Sequence, residues 1–236
     1  MKYLSAILFI LFTWQTGNCQ QLQIGSGMVL AENEYYPATA QIDSVIVFRR
    51  NYHGGKQLVP FLRYISPAIG HFTFSGGVSY YANHAGLSAY KIIDSSTRSG
   101  IKTTTIGIKS LEVPLMVNYS LFPESDLTLK IFAGVIPVFS HINFDPVYKG
   151  DNSSIDFPQK VADVLNKAGT LPKRYYTDYQ YGANISYKRF GLDVFIQQNL
   201  TSNINNNLKI WDQEALFTRK NETLRLLLSY TLPLGN

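Results

Sequence analysis

Apolar and polar residues alternate along this chain in eight separate segments. The clearest run is 106–121, where Leu111, Val113, Leu115, Val117, Tyr119 and Leu121 share one face. Glu112, Pro114, Met116, Asn118 and Ser120 take the other, with the period of two that marks a β-strand. The same pattern predicts strands at about 22–31, 57–65, 72–82, 127–142, 175–187, 190–199 and 223–232. Leu129, Ile131, Ala133 and Val135 fall on one face of the fifth strand, and Leu192, Val194 and Ile196 on one face of the seventh. The last strand sets Leu224, Leu226, Leu228, Tyr230 and Leu232 against Arg225 and Ser229.

The connections alternate as well. Those after strands one, three, five and seven are long, at 32–56, 83–105, 143–174 and 200–222. Those after strands two, four and six are short: Ser66-Pro67-Ala68-Ile69-Gly70, Phe122-Pro123-Glu124-Ser125-Asp126 and Lys188-Arg189. Short turns on one side and long loops on the other predict an all-β fold. The expected architecture is a transmembrane antiparallel up-and-down barrel of eight strands, with long extracellular loops and short periplasmic turns. Within the third long loop, Val161, Val164, Leu165 and Ala168 have helical spacing, which predicts a short helix over 157–169. Packing on the barrel rim is its expected role, and docking of a partner is the alternative.

The first 19 residues have another character. Lys2 precedes the apolar run 4–14, and Gly17 and Cys19 are small residues placed for cleavage before Gln20. The run is too short for a bilayer-spanning helix, which needs about 20 residues. The expected organisation is therefore a signal peptide at 1–19 and one barrel domain at 20–236. A lipidated Cys19 is the alternative, with Thr16 where a lipobox usually carries Leu. Cys19 is the only cysteine, so the remaining roughly 215 residues have no disulfide framework. Mean hydropathy is −0.05, as expected when half of each strand faces lipid and half a polar lumen. The net charge of +5 is spread along the chain, with no Lys/Arg block of the kind that binds nucleic acid.

The stretch Ser110-Leu111-Glu112-Val113-Pro114-Leu115-Met116-Val117-Asn118-Tyr119 resembles a signature strand of the Bacteroidetes outer-membrane β-barrel family that includes PorT-like proteins. Phe132-Ala133-Gly134-Val135-Ile136-Pro137 is similar to that family's next strand. Tyr181-Gly182-Ala183 and Asn199-Leu200-Thr201-Ser202-Asn203-Ile204 resemble its closing half. The resemblance is strongest over 111–137. It implies an eight-stranded barrel in a Gram-negative outer membrane, and the PorT-like name implies a part in protein secretion. The C-terminal Leu232-Pro233-Leu234-Gly235-Asn236 departs from the terminal aromatic of many barrels, a place that Tyr230 would take.

Strand parity turns charges of both signs inward: Arg63, Lys130 and Arg225 with Glu112, Asp178 and Asp193. An eight-stranded barrel is just wide enough for side chains to fill, and a lone buried ion costs several kcal/mol. The expectation is a structural salt-bridged plug, with a proton or ion path as the alternative. Such a plug argues against a general porin, which needs about 16 strands. Tyr64, Tyr80, Tyr119, Tyr175, Tyr187 and Tyr230 lie near strand ends, as in aromatic girdles. Tyr35, Tyr36 and Tyr52 are ordinary loop aromatics or a carbohydrate-stacking surface. His53, His84 and His141 have no accompanying nucleophile elbow or metal-ligand spacing. Asp151 and Asp156 do not match the EF-hand pattern. No catalytic residue, cofactor or metal is therefore expected.

The expected partners are outer-membrane lipid and envelope or secretion-complex proteins. The expected function is a non-enzymatic, structural or partner-binding barrel. An enzyme acting on lipid or peptide through His84 or His141 and a small ligand or transport barrel are the alternatives.

Overall fold

The computed structural model describes residues 20–36, 39–51, 57–92, 98–122, 126–147 and 159–234. The predicted leader, Tyr52, His53, Asp151, Asp156 and the start of the predicted helix lie outside these, as do the side chains of Tyr35 and Tyr36.

Eight staves close on themselves. They are β1 (Gln21–Tyr36), β4 (Leu58–Ile65), β5 (Phe72–Ile92), β6 with β7 (Arg98–Glu112 and Leu115–Ser120), β8 (Leu127–Phe144), β9 (Tyr175–Tyr187), β10 (Phe190–Asn199) and β12 (Gln213–Pro233). Each pairs antiparallel with its neighbour in the chain, and β1 pairs with β12 from Gln21↔Pro233 to Tyr36↔Lys220, which completes the ring. Closure leaves no edge within the bilayer, where an unpaired backbone group is costly.

β6 and β7 form a single stave interrupted only at Val113-Pro114. Pairing with β5 runs from Ser79↔Glu112 to Gly76↔Leu115 without a change of register. Pro114 has no N–H to give, but its carbonyl accepts from the Gly77 N–H at 3.1 Å. The Lys188-Arg189 turn is as tight as expected: Tyr187 pairs with Phe190, and Lys188 takes a φ of 53°.

The outward residues form an apolar belt. Ile24, Leu62, Phe74, Val78, Leu115, Val117, Ile131, Val135, Ile185, Val194 and Leu228 are all exposed. Aromatic residues border it at both ends. Phe139 and Tyr175 meet edge to face at 5.4 Å on the loop side, and Phe190 and Tyr230 at 5.3 Å on the turn side. So large an exposed apolar surface is stable only against lipid.

Much of the sequence assigned to long loops is additional β-structure. β5 runs to Ile92 and β12 begins at Gln213. β2 (Thr39–Ile42) and β3 (Val45–Asn51) form a hairpin whose second strand pairs with the upper half of β5, and β11 (Ile204–Ile210) pairs with β12. These segments carry their own alternation in Ile42, Val45 and Val47, in Ala85, Leu87 and Ala89, and in Leu208 and Phe217. Their other face meets water and is mostly polar, as at Thr39, Gln41, Ser88, Asn207 and Lys209, with Ile46 and Phe48 as half-buried exceptions, Phe48 against Tyr90.

The helix α1 (Gln159–Gly169) follows the predicted spacing, with Val161, Ala162, Val164, Leu165 and Ala168 buried. It touches β3, β5, β6 and β11 and shares one core with Ile42, Val45, Val47, Leu87, Ala89, Ile106, Ile204, Leu208 and Phe217. It therefore closes the loop-side mouth instead of lying on the rim. Lys160 fixes its first turn, 2.9 Å from the Asp43 carboxylate and 5.4 Å from the Trp211 ring, so one side chain joins two hairpin tips. Lys160 also holds the Asp43 carboxyl below the usual carboxylate range.

Candidate functional site

The interior of the barrel is stacked in tiers between the short turns and the helix. In the lowest, Arg63 on β4 meets Asp193 on β10 at 2.8 Å and donates to Gln23 at 3.4 Å. Asn184 donates to the other Asp193 oxygen. Lys130 is half-buried on the same inward face, within reach of the Asp193 charge. Beside this tier sits a small apolar cluster of Val59, Phe61, Met116, Phe132, Phe195 and Leu227. Glycines make room for its rings: a Cβ at Gly25 would stand 2.8 Å from the Phe61 ring, and one at Gly182 2.4 Å from Phe195 Cβ.

The central tier is the most densely bonded. Arg225 on β12 donates to both carboxylate oxygens of Glu112, at 2.7 and 2.9 Å. Ser79 and Gln197 donate to the same carboxylate at 3.0 and 3.2 Å. The Arg225 guanidinium also lies 4.8 Å from the centre of the Tyr81 ring. Fork geometry and satisfied oxygens are what a buried ion pair needs to offset its desolvation.

Parity placed Arg63, Glu112, Lys130, Asp178, Asp193 and Arg225 on the inward face, and the structure puts all six there. Their partners differ from simple charge matching. Asp178 is held by amides, Gln197 at 2.8 Å and Asn199 at 2.6 Å. The register sets Asn199 directly opposite Asp178, so the amide reaches it first. A third ion pair, Arg219 with Glu32 at 3.0 Å, lies above the central tier, and Asn221 donates to the same Glu32 oxygen at 2.7 Å. Both residues fall in segments assigned to long loops, which hid their parity; Gln197 and Ser79 were on the inward face but carry no charge to draw notice.

Small voids lie between the tiers. One of about 20 Å³ lies beside Arg63, Glu112 and Arg225. Another of about 40 Å³ lies between the central tier and Arg219, lined also by Arg49, Tyr176 and Asp178. A water needs roughly 10–15 Å³ of such space, so each has room for one to a few waters.

The histidines lie elsewhere. His84 on β5 and His141 on β8 are exposed and point outward, above the apolar belt and away from the lumen. His71, at a short turn, has Nδ1 2.8 Å from the Ser120 carbonyl oxygen and stacks on Tyr119. Among the described residues, no three of His, Cys, Asp or Glu are grouped to hold a metal ion.

No family model and no curated protein matches this chain. Among solved structures, the outer membrane protein OprG from Pseudomonas aeruginosa aligns over 93% of this chain and 97% of its own, at 7% identity and a TM-score of 0.49. The translocator domain of the autotransporter NalP from Neisseria meningitidis aligns over 97% of this chain and 93% of its own, at 9% identity and a TM-score of 0.33. The barrel assignment stands on the closed ring of hydrogen bonds and the outward apolar belt.

Proposed function

We propose that this chain is a non-enzymatic outer-membrane protein that serves as a structural or partner-binding component of an envelope or protein-secretion system. The observation that carries the reading is the filled interior: ion-paired tiers occupy the lumen, and α1 with its apolar core occupies the mouth. A barrel built this way offers a partner its loops and turns instead of a conduit. The outward apolar belt with aromatic borders supports the membrane, and the resemblance over 111–137 to a family that includes PorT-like proteins is what suggests secretion. The cleaved leader at 1–19 belongs to the same proposal.

In-cell crosslinking of the tagged full chain, with detergent extraction and mass spectrometry, tests it. Reproducible recovery of an envelope or secretion protein is the expected result. A partnerless barrel that passes ionic current in a planar bilayer would favour the transport alternative. One that cleaves lipid or peptide, and loses this on His84→Ala or His141→Ala while staying folded, would favour the enzyme.

A further inference from the structure

On the outside of the barrel, just above the belt, β5, β6 and β8 carry a group of residues unlike the rest of that band. His84, Lys109 and His141 are exposed, and all lie on the outward parity. Lys109 pairs directly across from His141, and His84 across from Gly107, two residues further along β6. Beneath them the belt ends in Tyr80, Leu111 and Phe139, all exposed. A Cβ at Gly107 would lie 3.8 Å from Asn143 and 3.9 Å from the His84 ring. The missing side chain thus leaves a notch, walled by His84 and Asn143 and flanked by Lys109. Asp145, past the end of β8, is its exposed acidic neighbour. On the far side of the barrel, Gln198 on β10 donates to Glu222 on β12, with the exposed cation Lys220 two residues along β12.

We infer that this notch binds the phosphate group of an anionic lipid, the phosphorylated glycolipid of the outer leaflet. The acyl chains lie down the Tyr80–Leu111–Phe139 face of the belt, and the phosphate stands at Gly107. Lys109 supplies an ammonium group there. His84 and His141 each offer at least one ring N–H in either protonation state, and Asn143 offers an amide N–H. Cations beside a membrane surface attract anionic headgroups in this way. The inference goes beyond the proposed partner role and rests on the outer-membrane location and on the loop side being the outer side.

Native mass spectrometry of the folded full chain in detergent, titrated with diphosphorylated lipid A and with its phosphate-free form, provides the test. The diphosphorylated lipid should bind and the phosphate-free lipid should bind far less. Lys109→Gln should weaken binding about fivefold, and His84→Gln/Lys109→Gln/His141→Gln by more. Gly107→Leu, which fills the notch without changing charge, should weaken it as well. Lys188→Gln/Arg189→Gln, on the opposite rim, should leave it unchanged. A heat-modifiable gel shift reports that each variant is folded. Equal binding of the two lipids, an unaffected triple variant, an unaffected Gly107→Leu variant, or competition by inorganic phosphate at comparable concentration would each overturn the inference.

Discussion

The same inward-facing parity is filled with opposite chemistry at the two ends of this barrel. On β5 the buried inward residues include Thr73, Ser75 and Ser79 within the belt and Asn83 at its upper edge, then Ala85, Leu87 and Ala89 above it, with the half-buried Tyr81 between. On β6 they run from Glu112 and Ser110 to the half-buried Ile108 and buried Ile106. The change coincides with the end of the outward apolar belt. Below it the solvent outside is hydrocarbon, and hydrogen-bonded ion pairs dominate the lumen, with one small apolar cluster around Phe61, Phe132 and Phe195 between them. Above it the solvent outside is water, and the hydrophobic effect fills the interior with an ordinary apolar core around α1. Which face of a strand is apolar is set by the medium around it.

This contrast predicts different responses to truncation. The largest expected effect is in the polar tier. Glu112→Ala leaves the buried Arg225 charge without its carboxylate, and the folded barrel in vesicles should lose about 3–5 kcal/mol in a urea unfolding titration. Next comes Leu165→Ala in the apolar cap, expected to cost about 2–5 kcal/mol of the cap's own stability. It should expose 159–169 to limited proteolysis while the belt strands stay protected from hydrogen exchange. If Leu165→Ala instead unfolds the belt strands together with the cap, the two regions are one cooperative unit and the comparison fails.

The smallest effect expected is at the surface of the cap. Lys160 holds the Asp43 carboxyl below its ordinary range, so the folded pKa lies below the unfolded one. The contribution of this pair is full above the ordinary carboxylate range and is lost as pH falls through the lowered folded pKa. Proteolysis of the cap should therefore speed up on acidification into that window in the wild type. Lys160→Gln should flatten that dependence, and added salt should mimic the substitution.

The belt-spanning strands were legible because lipid outside and polar groups inside write a clean period of two, as in Leu111 to Leu121. The same parity brought Arg63, Glu112, Lys130, Asp178, Asp193 and Arg225 to the inward face. Their pairing was not legible, since Glu112 meets Arg225 across 113 residues of sequence, and only the register of the closed ring decides which charges meet. That register also gave Asp178 to Asn199 and Gln197. The loop-side strands were missed because their runs are short and lack a clean period of two: Thr39-Ala40-Gln41-Ile42 reads as loop until β3 stands beside it, and Val45-Ile46-Val47-Phe48 is apolar on both faces. For α1 the spacing of Val161, Val164, Leu165 and Ala168 gave the helix, but its burial depends on walls contributed by four other segments.

The most direct measurement is a double-mutant cycle on Glu112 and Arg225, using Glu112→Leu, Arg225→Met and the pair together in lipid vesicles. Each single variant should unfold at much lower urea than the wild type, and the double variant should recover a large part of that loss, because no uncompensated charge is left in the lumen. Additive losses would contradict the account, since the two side chains would then stabilise the barrel independently and the ion-paired filling would not be what holds its interior together.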